Sequence, residues 1–278
     1  MKTEAILKKE AMKVLKETSR TFYIPIKLLE PNVREAVASA YLCMRAIDEI
    51  EDHEQLDKVV VVSLLQQVSD LLDRKIETDE PIAEELAELF APYRDQLPEV
   101  TLRLADWIDF CPDTVTDKVL ESTAIMGRGM AEWAEKDWIV ATREDLDDYT
   151  YYVAGLVGVM LADIWRWYDG TETDRDLAIG FGRGLQSVNI LRNYKEDAVR
   201  DVNFFPNGWK LPEMFSYAEE NLALADRYIE DIQTKTILNF CNIPLALAHG
   251  TLDALKEGRE KMSRVEVVAT VNKAMLKK

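Results

Sequence analysis

Residues Tyr41 to Asp52 read Tyr-Leu-Cys-Met-Arg-Ala-Ile-Asp-Glu-Ile-Glu-Asp, with no glycine or proline, and such a stretch is helical. Asp48 and Asp52 stand four residues apart, which puts both carboxylates on one helical face, about 6 Å apart along the axis. Arg45 and Tyr41 continue that face backwards by one and two turns. Two bare carboxylates at this spacing repel each other by a few tenths of a kcal/mol, roughly. A divalent cation reverses the sign, because Mg²⁺ is held by carboxylates together with the oxygens of a substrate phosphate. Arg45 then faces the same anion. Without a cation the same pattern is a solvated acidic face, and a short motif does not by itself separate the two readings.

A second stretch has the same layout. In the run Gln186 to Asp197, Gln186, Asn189, Asn193 and Asp197 fall at i, i+3, i+7 and i+11, one stripe of a helix, with Arg192 beside it. Val188, Ile190 and Leu191 occupy other faces. Amides and an acid on one stripe read as an internal polar lining. Two such helices are expected to form a cage for metal and diphosphate.

The rest of the chain supports a helical reading. It has only 11 glycines and 9 prolines in 278 residues, too few for many tight turns. Helices are expected over residues 4–17, from Pro31 to about Asp52, over two segments between 53 and 100 divided at Thr78–Pro81, and over 101–110. Others follow from about Asp113, and over 144–168, 172–197, 212–233, 235–257 and 263–276. The β-branched run Val59–Val62 is kept helical, since a strand needs partners and no other strand is evident. Gly127 and Gly129, inside the helix from Asp113, weaken it by about 1 kcal/mol each relative to alanine, as expected where a backbone must approach a ligand or a crossing helix. Tyr149, Tyr152, Ala154, Gly155 and Gly158 mix aromatic with small residues, the expected lining of a cavity that Phe240, Leu245 and Leu247 would also wall. No linker or repeat divides the chain, so one all-α domain spanning 1–278 is expected.

Net charge narrows the partners. At −17 the chain has no basic stripe to release counterions from nucleic acid, which excludes that class. An acidic protein that binds a diphosphate needs local cations, and Arg20, Arg45 and Arg192 supply them. Arg20 sits between the hydroxyls of Ser19 and Thr21, a suitable grip for phosphate oxygens, although serine and threonine also serve as helix caps. Cys43, Cys111 and Cys241 have apolar neighbours and no metal spacing, and read as buried thiols of a reducing compartment. His53 and His249 are not spaced as metal ligands, and His53 reads as a solvated helix end. The charged start and the lack of an apolar run near the roughly 20 residues of a membrane span predict a cytoplasmic protein. An apolar product would bring it into peripheral contact with a membrane.

These segments together resemble the squalene/phytoene synthases, which join two prenyl diphosphates head to head. Ser19-Arg20-Thr21-Phe22 resembles that family's early S-R-[ST]-F. Asp48 to Asp52 and Gln186 to Asp197 resemble its two aspartate-rich motifs. Tyr149 to Gly158 is similar to its Y-x-x-Y-V-A-G-x-V-G segment, and Phe240-Cys-Asn-Ile-Pro244 to a late F-C-x-I-P signature. The resemblance implies a layered, isoprenoid-synthase-like helical bundle around a central cavity. It implies Mg²⁺, or Mn²⁺ in its place, on Asp48, Asp52, Asn193 and Asp197. A prenyl diphosphate would be held by Ser19, Arg20, Phe22, Tyr41, Arg45, Gln186, Asn189 and Arg192. Tyr149 would be the aromatic at the reacting carbon, acting with Asp48, Asp52 and Asp197. Squalene-forming relatives bind NADPH without a glycine-rich fingerprint, so NADPH use stays open, as does oligomeric state.

Two positions depart from the family pattern. Asn193 stands where the second motif normally opens with aspartate, and Val202 where an arginine normally follows the last aspartate by five residues. Asn193 weakens cation binding and Val202 removes a positive charge. Ionisation of one substrate survives on the first motif with Asp197, while the joining step suffers. The expected product is then a prenyl alcohol, farnesol from farnesyl diphosphate, which makes the chain a prenyl diphosphate phosphatase on a synthase scaffold. The alternatives are true head-to-head condensation and, from another class, a non-catalytic binder of prenyl diphosphates.

Overall fold

A computed structural model describes residues 4–19, 21–199 and 202–276. Every regular element among them is helical. The chain divides into two compact units, one of Met1–Ile26 and Glu30–Asp137, the other of Lys27–Leu29 and Trp138–Lys278.

The first unit is built on α3 (Pro31–Glu51), which follows the short α2 (Tyr23–Lys27) and enters with proline in its first turn, where the missing amide is tolerated. Val33, Ala36, Val37, Ala40, Cys43, Ile47 and Ile50 recur at helical spacing and are buried. Around α3 pack α1 (Glu4–Thr18), α4 (Lys58–Thr78), the short α6 (Glu99–Leu102) and α7 (Leu104–Asp109), and α8 (Asp113–Glu135). Two buried hydroxyls pin the short helices to it. Ser39 donates to the Trp107 carbonyl at 2.8 Å and Thr101 to the Ala46 carbonyl at 3.0 Å. The Val59–Val62 run lies in α4, where Val61, Leu64, Leu65, Val68 and Leu72 form the buried stripe. Packing thus overrides the strand propensity of the β-branched run. The helix expected over 101–110 instead breaks at Arg103, which bonds Glu99, Asp106 and Glu10 and lies over the Trp107 ring. The short α5 (Ala83–Phe90) packs on α4.

The second unit is built on α11 (Arg175–Val199). Around it lie α9 (Arg143–Thr150), α10 (Leu156–Asp169), α12 (Leu211–Tyr228) and α13 (Lys235–Lys256), and α14 (Arg264–Leu276) packs on α13. A π-helical turn, Tyr151–Gly155, joins α9 to α10, so the helix expected over 144–168 is continuous but widened in its middle. Among the described residues no helix is long and apolar enough to cross a membrane.

The glycines take the close-crossing role rather than the cavity role. A Cβ on Gly158 would lie 2.0 Å from the Ala178 carbonyl oxygen, and one on Gly182 would lie 2.1 Å from that of Ala154. Backbone therefore meets backbone where the π turn and α10 cross α11. In the first unit Gly127 does the same for α8 on α4, its Cβ position 2.5 Å from Ser69 Oγ.

Candidate active site

The first acidic motif lies on the last turns of α3 and its C-terminal cap. Arg45 reaches forward along the helix, and its guanidinium bonds both Asp48 and Glu49. Glu49 is a partner the motif pattern does not single out, although its i+4 spacing from Arg45 is the signal for it. The Arg45 Nε is buried without a hydrogen-bond partner. Burial works against the charge of Arg45, but Asp48 and Glu49 outweigh it and hold its pKa above the ordinary arginine value. The Asp48 carboxyl is pushed up to about 7, first by burial and then by the Asp52 carboxylate, against the pull of Arg45. Its side chain keeps 28 % of its surface, so that push acts on a group still reachable from solvent. Asp52 is the exposed C-cap, its amide on the Asp48 carbonyl at 2.9 Å.

This donor set fits a hard divalent cation. Two carboxylates share one helix end, one of them driven toward its neutral form by burial and by its neighbour's charge, and a buried arginine donor is left over for an anion. Among the described residues no three His, Cys, Asp or Glu gather into a ready metal centre, so the remaining donors would come from substrate and water.

Tyr41 lies one turn and more behind. Its hydroxyl donates to the Thr18 carbonyl at 3.0 Å, and its ring lies 6.2 Å from that of Phe22. Ser19 is buried, and its Oγ accepts the Phe22 amide at 2.9 Å. That is a capping role, and it fixes the turn that presents Phe22 beside Tyr41. Arg20 lies outside the described residues. His53 accepts the Gln55 and Leu56 amides on Nδ1, each at 3.2 Å, and closes the turn after α3.

The second acidic motif lies on the C-terminal half of α11, as its spacing predicts. Gln186 and Asn193 are half-buried, Asn189 and Arg192 exposed, and Asp197 buried at 8 %. Asn189 Nδ2 approaches Gln186 Oε1 at 3.4 Å. Arg192 Nε donates to Asn193 Oδ1 at 3.1 Å, so the one oxygen with which Asn193 can bind a cation already accepts a bond. The Val202 amide donates to the Asp197 carbonyl at 3.0 Å and carries the chain out of α11.

Tyr149, buried near the end of α9, stacks on Phe204 with ring centres 4.8 Å apart and planes 14° from parallel. Phe204 belongs to the loop after the second motif. The Asn207 amide holds that loop to the Ala141 carbonyl at 3.0 Å. The aromatic run Phe204-Phe205-Pro206 is visible in the sequence, but its pairing with Tyr149 joins positions 55 residues apart and has no local signal. Phe240 is buried edge-on against Trp165 at 5.5 Å, a core contact.

Residues 15–210 match the family model described as squalene/phytoene synthase, a range that holds four of the five signature segments. The chain is 30 % identical over 278 residues to the squalene synthase of Dictyostelium discoideum, with 87 % of this chain and 62 % of the relative covered. To that of Mus musculus it is 27 % identical over 279 residues, covering 88 % and 63 %. The chain thus spans less than two thirds of the length of these relatives. Among solved structures, the complex of TcSQS with ligand E5700 superposes with a TM-score of 0.76 at 21 % identity, covering 98 % of this chain and 87 % of that one. A dehydrosqualene synthase in complex with ligand superposes with 0.66 at 19 %, covering 98 % and 96 %. These two share the fold.

Proposed function

This chain belongs to the squalene/phytoene synthase family, and we propose that it ionises an allylic prenyl diphosphate and joins the product head to head with a second one. The ionisation half of this reading rests on the complete first motif, with Asp48 and Arg45 side by side and an arginine donor left over in a partly buried setting, and the joining half rests on the family match. Mg²⁺, held by Asp48 and Asp52 of the first unit, would neutralise charge on the departing diphosphate, and Asp197, with the Asn193 oxygen as a weaker donor, is the metal-binding candidate of the second unit. Arg45 and Arg20 on the first unit, and Arg192, Gln186 and Asn189 on the second, are the donors suited to diphosphate oxygens. Phe22 and Tyr41 shape the end of the site beside Ser19. Tyr149 presents its ring face to the allylic cation, which an aromatic face stabilises by cation–π attraction, and Phe204 helps to exclude water. An apolar product leaves toward a membrane surface.

A second reading rests on two observations. The Asn193 oxygen accepts from Arg192, and Val202 contributes no charge after the motif. A weakened second cation position favours capture of the cation by water, giving farnesol from farnesyl diphosphate.

The test is incubation with farnesyl diphosphate, and separately with its C20 homologue, with Mg²⁺ or Mn²⁺ and with or without NADPH, followed by mass analysis of products. A condensed C30 or C40 product supports the main reading, and NADPH dependence identifies a hydride donor for a reduced one. A prenyl alcohol alone supports the second. Recovery of unchanged substrate under every condition overturns both and leaves a prenyl diphosphate binder.

A further inference from the structure

Arg183 lies outside both acidic motifs, on α11 next to Gly182. Its Nη2 donates to the Asp147 backbone carbonyl at 2.6 Å, and its Nη1 stands 3.9 Å from Asp147 Oδ1. The Arg183 Nε is buried with no hydrogen-bond partner. A buried donor left without a partner is costly, so the placement of this guanidinium is not explained by its own satisfaction.

The same aspartate is held from a second side. The Tyr217 hydroxyl of α12 donates to Asp147 Oδ1 at 2.6 Å and lies 3.3 Å from Thr150 Oγ1. Tyr217 is 1 % exposed, and burial followed by the Asp147 carboxylate raises its pKa above the ordinary tyrosine value, which keeps it a donor. Arg143 lies over its ring at 5.3 Å and bonds Glu220 at 2.7 Å.

Asp147 sits two residues before Tyr149 and four before the π turn. At the entry to that turn the Tyr151 amide is shared between the carbonyls of Asp147 and Asp148. A shared amide bonds each carbonyl less well, and Arg183 adds a charged donor to one of the two. Widened turns of this kind occur mostly as single insertions inside α-helices, frequently at functional sites. We infer that Arg183 and Tyr217 are positioning residues that lock Asp147 and, through it, fix the direction in which α9 presents Tyr149 against Phe204. Neither residue touches substrate in this scheme. The inference rests on the role of Tyr149 given above.

The test has two independent readouts. In the first, 3-fluorotyrosine is placed at position 149 of the full chain, and its ¹⁹F shift reports the ring's setting against Phe204. Arg183→Met and Tyr217→Phe are expected to move or broaden that signal, and Arg183→Lys to restore most of it. In the second, turnover of farnesyl diphosphate with Mg²⁺ is followed. Here kcat is expected to fall by about tenfold or more in Arg183→Met with KM nearly unchanged, because misplacing a reacting group by an ångström can cost about a hundredfold. An unmoved ¹⁹F signal in Arg183→Met and Tyr217→Phe overturns the inference. Where Arg183→Met does not fold, Tyr217→Phe decides it by the same signal: a moved or broadened signal supports the inference and an unmoved one overturns it. If Tyr149→Phe keeps full kcat, the catalytic reading of Tyr149 fails, while the ¹⁹F readout still decides whether the lock exists.

Discussion

Gly158→Ala tests the crossing on which the second unit depends. The added methyl would stand 2.0 Å from the Ala178 carbonyl oxygen and 2.7 Å from its carbon. Non-bonded heavy atoms are comfortable at about 3.5 Å, so the π turn and α10 must part from α11 by more than about 1 Å. The obstacle is backbone inside a hydrogen-bonded helix and cannot rotate away. Parting also opens the reciprocal contact, where Gly182 sits against Ala154. Over-packing costs about 1–3 kcal/mol, and a rigid obstacle puts this case at the upper end. Alanine returns about 1 kcal/mol of helix propensity, which leaves a net loss of roughly 2 kcal/mol. For a chain of this size, at about 2.1 cal/mol/K per residue, that is a fall of about 3–4 °C in the thermal midpoint. Gly127→Ala is the internal control. Its nearest obstacle is the Ser69 hydroxyl at 2.5 Å, a side chain that can turn, and the next, the Leu65 carbonyl oxygen, is at 3.4 Å. Loss and propensity gain nearly cancel there. Both midpoints are read by circular dichroism of the helical signal. A Gly158→Ala protein at least as stable as Gly127→Ala would refute the reasoning.

Phe204→Ala removes the stack on Tyr149, worth about 0.5–1.5 kcal/mol beyond the area buried, and is expected to lower kcat on farnesyl diphosphate more than it lowers the thermal midpoint of the protein. Equal kcat would show that the stack plays no part in turnover. Asn193→Asp replaces a neutral oxygen with a carboxylate on the second motif, so half-saturation with Mg²⁺ should come at lower concentration, and any prenyl alcohol among the products should give way to condensed product. An unchanged metal titration counts against Asn193 as a ligand. In metal-free protein, Asp48 binds its proton more tightly folded, at about 7, than unfolded, at about 4. The folded state therefore holds the extra proton between those values, and its stability from this group falls as pH rises from about 4 to about 7, then levels. Asp48→Asn should flatten that part of the urea-midpoint profile measured in chelator, and should also abolish metal-dependent turnover. A parallel profile would mean that Asp48 titrates normally.

How much of this could be read from the chain follows the range of the forces involved. The helices were legible because each buries a stripe of its own residues at a fixed period, and even Val59–Val62 gave way to the longer pattern that continues through Leu72. Asp48 with Arg45 was legible for the same reason: neighbours three apart on one helix face announce themselves by spacing, whereas the bond from Arg192 to the adjacent Asn193 has no such signal. The break at Arg103 was not, because it depends on bonds to Glu10, 93 residues away. Nor was the meaning of Gly158. A small residue makes room, but the sequence does not say whether a ligand or another backbone takes it, and here Ala178 does. The π turn is the furthest from view. It is an exchange of one hydrogen-bond ring for a wider one, with no composition of its own, and the groups beside it that hold Asp147, Arg183 and Tyr217, come from two other helices. The direction of Tyr149 is therefore a property of three helices at once. The motif that names Tyr149 shows which residue is placed there, and the residues that aim it carry no motif at all.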